Sequence, residues 1–156
     1  MPTPPTTEAV IALSAASAED FEALLALRIE AMRESLERIG RFDAARARER
    51  FRLGFLPEHT RHIAVGGQRV GFVVTKPEAQ GLLLDHLYVK PAWQGQGIGA
   101  AVLQHVFAEA DAQHLDIRVG ALRDSASNRF YERHGFQLVE RTAFDNHYVR
   151  VAQGAA

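Results

Sequence analysis

The sequence predicts a mixed α/β domain, one layer of sheet with helices on both faces. Short apolar runs bounded by glycine, proline and polar clusters recur along the chain, as strands require. Between them lie stretches whose apolar residues repeat at helical spacing. With 156 residues, no internal repeat and no linker-like segment, the chain has enough material for one core.

Residues 1–8, "MPTPPTTE", are rich in proline and threonine and read as a disordered tail ahead of a domain over 9–152. "AVIAL", Ala9–Leu13, reads as a first strand. Ser17 with Asp20 three residues on matches a capping box, opening a helix that runs to about Ile39, where Gly40 can end it. Its apolar stripe is Phe21, Leu24, Leu25, Met32, Leu36 and Ile39. Arg28 falls on that stripe, where an apolar residue is expected. A second, arginine-rich helix spans about Asp43–Leu53. His62–Val65 and Arg69–Thr75 flank Gly66 and Gly67 as a hairpin. Gly81–Val89 is apolar on both alternating faces and reads as a central strand covered on both sides. A helix over Gly97–Gln113 turns Ile98, Ala101, Val102, Leu103, Val106 and Phe107 inward, and a strand over Leu115–Leu122 follows. "SASNRFYERHG" is a helix closed by Gly135, and "FQLVE" and "AFDNHYVRV" end the domain as two strands. The order is β-α-α-β-β-β-α-β-α-β-β.

Composition narrows the chemistry. There is no cysteine, which removes disulfides, thiolate nucleophiles and thiolate-held metals. A formal net charge of -1 provides no general attraction to nucleic acid or to anionic membranes. No apolar stretch approaches the roughly 20 residues of a membrane span, and the N-terminus lacks the pattern of a secretory signal. The expectation is a cytoplasmic protein with no nucleic-acid or membrane partner.

The stretch "LYVKPAWQGQGIGAA", Leu87–Ala101, crowds glycines and alanines into a strand-to-helix junction, the place where a phosphate is held. A Walker A loop needs Lys and Ser or Thr after its last glycine, and Gly99 is followed by Ala100 and Ala101. A dinucleotide fingerprint fits Gly95, Gly97 and Ala100, with Asp116 at a plausible distance. Asp116, however, opens its strand where the ribose-binding acid should close one. The roughly 60 residues remaining are also too few for a doubly wound sheet.

Gln94, Gly97 and Gly99 in "QGQGIG" match a Q/R-x-x-G-x-G/A loop, and "LYVKPAWQG" before it supplies a strand, a proline loop and an aromatic. Downstream, "NRFYERHGFQ" resembles a second signature, a tyrosine-bearing helix followed by Gly-Phe at the next strand. On these two stretches and the order of elements the chain resembles the GNAT superfamily of N-acetyltransferases. The resemblance implies a mixed, mostly antiparallel central sheet that opens beside the central strand, with acetyl-CoA lying in the gap as acyl donor. It implies pantetheine contacts from Leu87, Tyr88 and Val89. Gln94, Gly95, Gln96, Gly97, Ile98, Gly99 and Ala100 would hold the pyrophosphate, and the Val89 N–H would polarise the thioester carbonyl. Tyr131 would be the general acid, since a phenol with a pKa of about 10 stays protonated at neutral pH, and would border the cofactor. The family often has Asn seven residues before this tyrosine; here that position is Asp124, read as a helix cap together with Ser125. Asn128 is retained as a cofactor contact. Asp85, a charge inside an apolar strand, occupies a position where the family often carries a carboxylate facing the acceptor. It is the candidate base and a substrate contact, with pairing to an arginine such as Arg28 as its structural alternative. His86, expected on the opposite face, is the other candidate proton acceptor.

For the acceptor the resemblance implies a small-molecule, peptide or protein amine attacking directly in a ternary complex, with an acyl-CoA sensor as the non-catalytic alternative. A homodimer is possible. Between Arg28 and Arg52 stand eight arginines against five acids, a local excess suited to an acidic acceptor whose carboxylate Arg28 could grip. The outer arginines Arg46, Arg48, Arg50 and Arg52 read as a solvated face paired with neighbouring acids. Trp93 reads as a structural loop aromatic. The histidines show no metal-ligand spacing, so no metal is expected.

Overall fold

The computed structural model describes residues 10–38, 40 and 43–154. Seven strands form one sheet, in the order β1 (Ala12–Ala15), β2 (Thr60–Val65), β3 (Gln68–Glu78), β4 (Gly81–Val89), β5 (Asp116–Leu122), β7 (Asp145–Arg150) and β6 (Gln137–Arg141). Four α-helices are described: α1 (Phe21–Arg38), α2 (Ala44–Gly54), α3 (Ile98–Ala112) and α4 (Ser127–Arg133). β4 and β5 run parallel, whereas β1–β2, β5–β7 and β6–β7 are antiparallel. The fold class and the order of elements are those the sequence predicts.

The chain divides into two compact units, Met1–Val73 with Leu87–Gln104 and Val74–His86 with His105–Ala156. In the first, α1 buries Leu24, Leu25 and Leu27, and Phe21 meets Phe51 and Phe55 with ring centroids 5.5 and 5.6 Å away. Phe51 in turn meets Phe72 at 5.9 Å. Such rings combine large apolar area with a preference for tilted contact. The Ser17 backbone N–H donates to the Asp20 carboxylate at 2.8 Å, as the capping-box pattern requires, although a short 3₁₀ turn over Ala18–Asp20 comes before α1 itself. Asp20 also accepts from Nε2 of His62, which is buried in β2, at 2.9 Å. The Ser17 N–H, followed by His62, holds the Asp20 carboxyl down at about 2. A carboxyl depressed on folding stabilises the fold above its ordinary range of about 4 and loses that contribution as the pH falls toward about 2. Asp43 caps α2 by accepting the Arg46 N–H at 3.1 Å. Gly40 has φ +69°, as a helix-closing glycine should. Leu36 and Ile39 of the expected stripe lie outside the described side chains.

The first strand begins later than the apolar run suggests. Ala12–Ala15 pairs with β2, Ala12 opposite Ala64, so the ladder and not the hydrophobicity of Ala9–Leu13 sets its bounds. Gly66 and Gly67 both have positive φ, +58° and +82°, the requirement of the tight hairpin turn read from the pair. In the second unit, Val74, Leu84, Val106, Phe107, Ile117, Val119 and Tyr148 are buried. Arg150 donates to both oxygens of Asp111 at 2.9 and 3.1 Å, with its guanidinium carbon 3.9 Å from the Phe107 ring centroid.

Two glycines set how closely the strands approach. A Cβ on Gly71 of β3 would collide with the Tyr88 carbonyl oxygen of β4, and one on Gly81 would stand 2.7 Å from the Asp116 carbonyl oxygen of β5. Backbone atoms cannot swing aside as side chains do, so both positions exclude larger residues. Gly71→Ala is expected to cost about 2–3 kcal/mol, since overpacking against backbone forces the strands apart. Gly120→Ala is the control, because its Cβ would meet the His147 ring at 3.5 Å and the Asn146 carbonyl oxygen at 4.0 Å, both ordinary contacts. Urea denaturation of both variants checks this, and equal midpoints would remove the close-approach argument.

Candidate active site

The parallel ladder of β4 and β5 pairs Gly81–Leu84 with Asp116–Val119 and goes no further. β4 continues for five more residues, Asp85–Val89. At its end the Lys90 N–H donates to the Val70 carbonyl at 2.8 Å. Backbone groups alternate sides along a strand, so the N–H and C=O of Val89 and Leu87 turn away from β3. The Val89 carbonyl accepts from Gln94 Nε2 at 2.9 Å, which ties the following loop to the strand end.

That loop is built from a 3₁₀ turn over Pro91–Trp93 and then two glycines in the left-handed region, Gly95 at φ +78° and Gly97 at +80°. Side chains are strained there, and no heavy atom lies within 4 Å of a Cβ added at either position. The first bond of α3 runs from the Ala101 N–H to the Gly97 carbonyl at 3.0 Å. The N–H groups of Ile98, Gly99 and Ala100 therefore lie ahead of the intrahelical ladder, at the positive end of a fifteen-residue helix. An open, donor-lined cradle with no side chain at its glycines fits a pyrophosphate. Gln94 differs from the sequence reading in one respect, because its side-chain amide is bonded to Val89.

In the second unit Asp85 Oδ2 lies 2.8 Å from Lys76 Nζ and 3.7 Å from His86 Nε2. Its ionic partner is thus a lysine of the neighbouring strand, whereas an arginine was the alternative expected from sequence. His86 also departs from expectation. Strand alternation sets the direction of its Cβ, but the imidazole tip still comes near the Asp85 carboxylate. Lys76 is not among the residues the sequence singles out; it lies two residues before the end of β3 and Asp85 four after the start of β4, on the strands flanking one short turn.

Tyr131 is buried on α4, with ring centroids 5.4 Å from Phe130, 5.3 Å from Phe136 and 6.4 Å from Tyr148. Gly135, at φ +92°, ends the helix as expected, and the Phe136 N–H donates to the Tyr131 carbonyl at 3.1 Å. Asn128 proves to be a structural hub. Its Nδ2 donates to the carbonyls of Leu122 (2.7 Å), Ser125 (2.9 Å) and Arg123 (3.2 Å). Its Oδ1 accepts from Asn146 Nδ2 and the Tyr148 hydroxyl, both at 2.8 Å. An amide has two donors and two lone pairs, so the two N–H groups are shared among three carbonyls and both lone pairs are taken within the protein. Burial, then the neighbouring Glu132, pushes the Tyr148 phenol up, which keeps it a donor to Asn128. The expected caps also differ: Ala126 is the N-cap of α4 and no side chain caps it, while Ser125 Oγ donates to the Leu122 carbonyl at 2.9 Å.

Arg28, in the first unit, is half-buried with its Nε buried and without a hydrogen-bond partner. Its guanidinium carbon lies over Phe51 and Tyr88, 6.0 and 5.9 Å from the ring centroids. The outer arginines behave as a solvated face: Arg48 pairs with Glu22 and Arg52 with Glu49. Among the described residues no group of three or more metal-ligating side chains could hold an ion, and no helix is long and apolar enough to cross a membrane.

A central strand that continues past its parallel ladder, a glycine loop opening the next helix, and a tyrosine-bearing helix two elements later together make an acetyltransferase fold. Residues 57–138, more than half of the chain, match the family described as acetyltransferase (GNAT) domain, and the chain belongs to that family. Its donor is acetyl-CoA. The PaiA N-acetyltransferase from Thermoplasma acidophilum, solved with coenzyme A, is similar in fold with TM-score 0.75 and 18% identity, over 91% of this chain and 99% of that one. YjaB from Escherichia coli gives 0.73 and 19%, over 92% and 99%. The ribosomal-protein-S18-alanine N-acetyltransferase from Escherichia coli gives 0.71 and 18%, over 94% and 97%. No curated protein matches the chain by sequence.

Asn128→Ala is expected to lower stability by about 2–3 kcal/mol, because it strands several buried donors and acceptors at once. Chemical denaturation checks it, and a change within about 0.5 kcal/mol, the range of an ordinary surface substitution, would end its description as a hub.

Proposed function

We propose that the protein transfers the acetyl group of acetyl-CoA to a primary amine by direct attack in a ternary complex. The observation that carries this is the strand end and loop of the first unit, where backbone donors are open to a ligand and glycine is required by conformation. Acetyl-CoA supplies an acetyl thioester. Leu87, Tyr88 and Val89 offer main-chain groups to its pantetheine arm, and the Val89 N–H faces the carbonyl oxygen where negative charge develops. The N–H groups from Gly95 to Ala100 hold the pyrophosphate. As the amine nitrogen bonds to the carbonyl carbon and the carbon–sulfur bond breaks, the Tyr131 hydroxyl gives its proton to the departing sulfur. Asp85 is the acceptor-side carboxylate, and it or the adjacent His86 receives the proton the amine loses. Its pairing with Lys76 means that the carboxylate must share its charge with a lysine while doing so.

Gly97→Glu forces a side chain and a negative charge into the loop. Its dissociation constant for acetyl-CoA, by isothermal titration with NADH as control, should rise at least about tenfold. Equal binding by wild type and variant, or binding of NADH alone, would mean the loop holds something else. Tyr131→Phe should lower kcat by about a hundredfold or more, the usual range for losing a general acid, and leave acetyl-CoA affinity unchanged. Thiol release with an amine panel measures it, and undiminished turnover would take Tyr131 out of the reaction.

A further inference from the structure

We propose that Arg28 anchors the acceptor by its anionic group, so that the substrate is a primary amine that also carries a carboxylate. The proposal rests on the acetyltransferase reading and adds the class of acceptor to it. Arg28 sits on the buried stripe of α1, beside Leu24, Leu25 and Leu27, a costly place for a permanent cation. Its Nε is buried and bonded to nothing, and no carboxylate of a described residue pairs with it. Among the described arginines of this unit, Arg33 is matched by Glu37, Arg48 by Glu22, Arg52 by Glu49 and Arg69 by Asp20, while Arg46 and Arg50 are exposed to water.

The two rings near the guanidinium compensate it in part, and only through their faces. Aromatic faces accept nothing in the plane of the N–H groups. The donor edge is left for a planar acceptor approaching in that plane, and a carboxylate bound through two parallel hydrogen bonds has that shape. Placement agrees with the chemistry. Tyr88, under the guanidinium, lies between Leu87 and Val89, the segment assigned to the thioester arm. The anchor is therefore one side chain away from where the amine must attack. The donor's pyrophosphate is accounted for by the loop after Val89, which leaves the cation to the acceptor.

The test pairs probes that differ only in charge: glycine, β-alanine, γ-aminobutyrate and ε-aminocaproate, each against its primary amide. They are titrated calorimetrically into the wild-type protein in the presence of CoA. At least one carboxylate should bind at least about tenfold more tightly than its amide, the least expected of a charge-assisted pair. Arg28→Gln should abolish that difference and leave acetyl-CoA affinity unchanged, while Arg28→Lys, which keeps the charge and loses the planar fork, should retain part of it. The proposal is overturned if no carboxylate binds or if carboxylate and amide bind alike, results that need no variant to fold. It is also overturned if Arg28→Gln weakens acetyl-CoA instead, which would make the arginine a donor contact. Failure of acetyl-CoA to bind wild type, with the carboxylate preference intact, would instead strike the acetyltransferase reading and leave the anchor standing.

Discussion

The four-residue ladder between β4 and β5 is the constraint on which the rest of the molecule turns. A central strand ordinarily spends its backbone donors and acceptors on both neighbours, whereas β4 runs five residues past its parallel ladder with β5. Those residues still need a firm geometry, and it comes from the other side. Gly71 lets β3 press against the Tyr88 carbonyl, and the Lys90 N–H closes on Val70. A strand end held along one edge only is rigid and yet has hydrogen-bonding capacity to give, as the Gln94 amide on Val89 illustrates.

The second unit solves a related problem by different means. α4 has seven residues, too few for a helix to hold itself by its own hydrogen bonds. Aromatic contacts around Tyr131 supply area, but rings can slide and tilt at little cost. Direction comes from Asn128, whose amide ties the end of β5 and the start of α4 to two side chains of β7. A fully satisfied buried polar group of this kind tolerates few rearrangements.

Much of this was legible in the chain. The bounds of β4 were read correctly because apolar residues on both faces and a flanking glycine leave little choice, and the hairpin at Gly66–Gly67 was announced by its two glycines. The start of β1 was not legible, since a four-residue edge strand of alanine, leucine and serine is defined by what it pairs with. The internal bonds of Asn128 were not legible, because spacing along a helix says nothing about which backbone carbonyls stand within reach. The Lys76–Asp85 pair and the His86 tip depend on register and side-chain torsions, which periodicity does not encode. Arg28 was visible as a charge on an apolar stripe. Its ring partners were not, because Phe51 and Tyr88 lie on elements distant in sequence.

The two ends of the sheet carry a consequence of their own. An open strand edge is a template for uncontrolled pairing with other chains. At one end β1 offers only four residues. At the other, β6 exposes Leu138 and Val139, apolar residues that would suit a growing fibril. Its register against β7 slips between Leu138 and Glu140, leaving Val139 as an extra residue, and Glu140 and Arg141 follow at once. The slip bends the edge and the charges interrupt it, so an incoming strand finds no straight run to zip along. Protection against aggregation is thus written into the backbone of β6 and does not require its surface to be polar throughout.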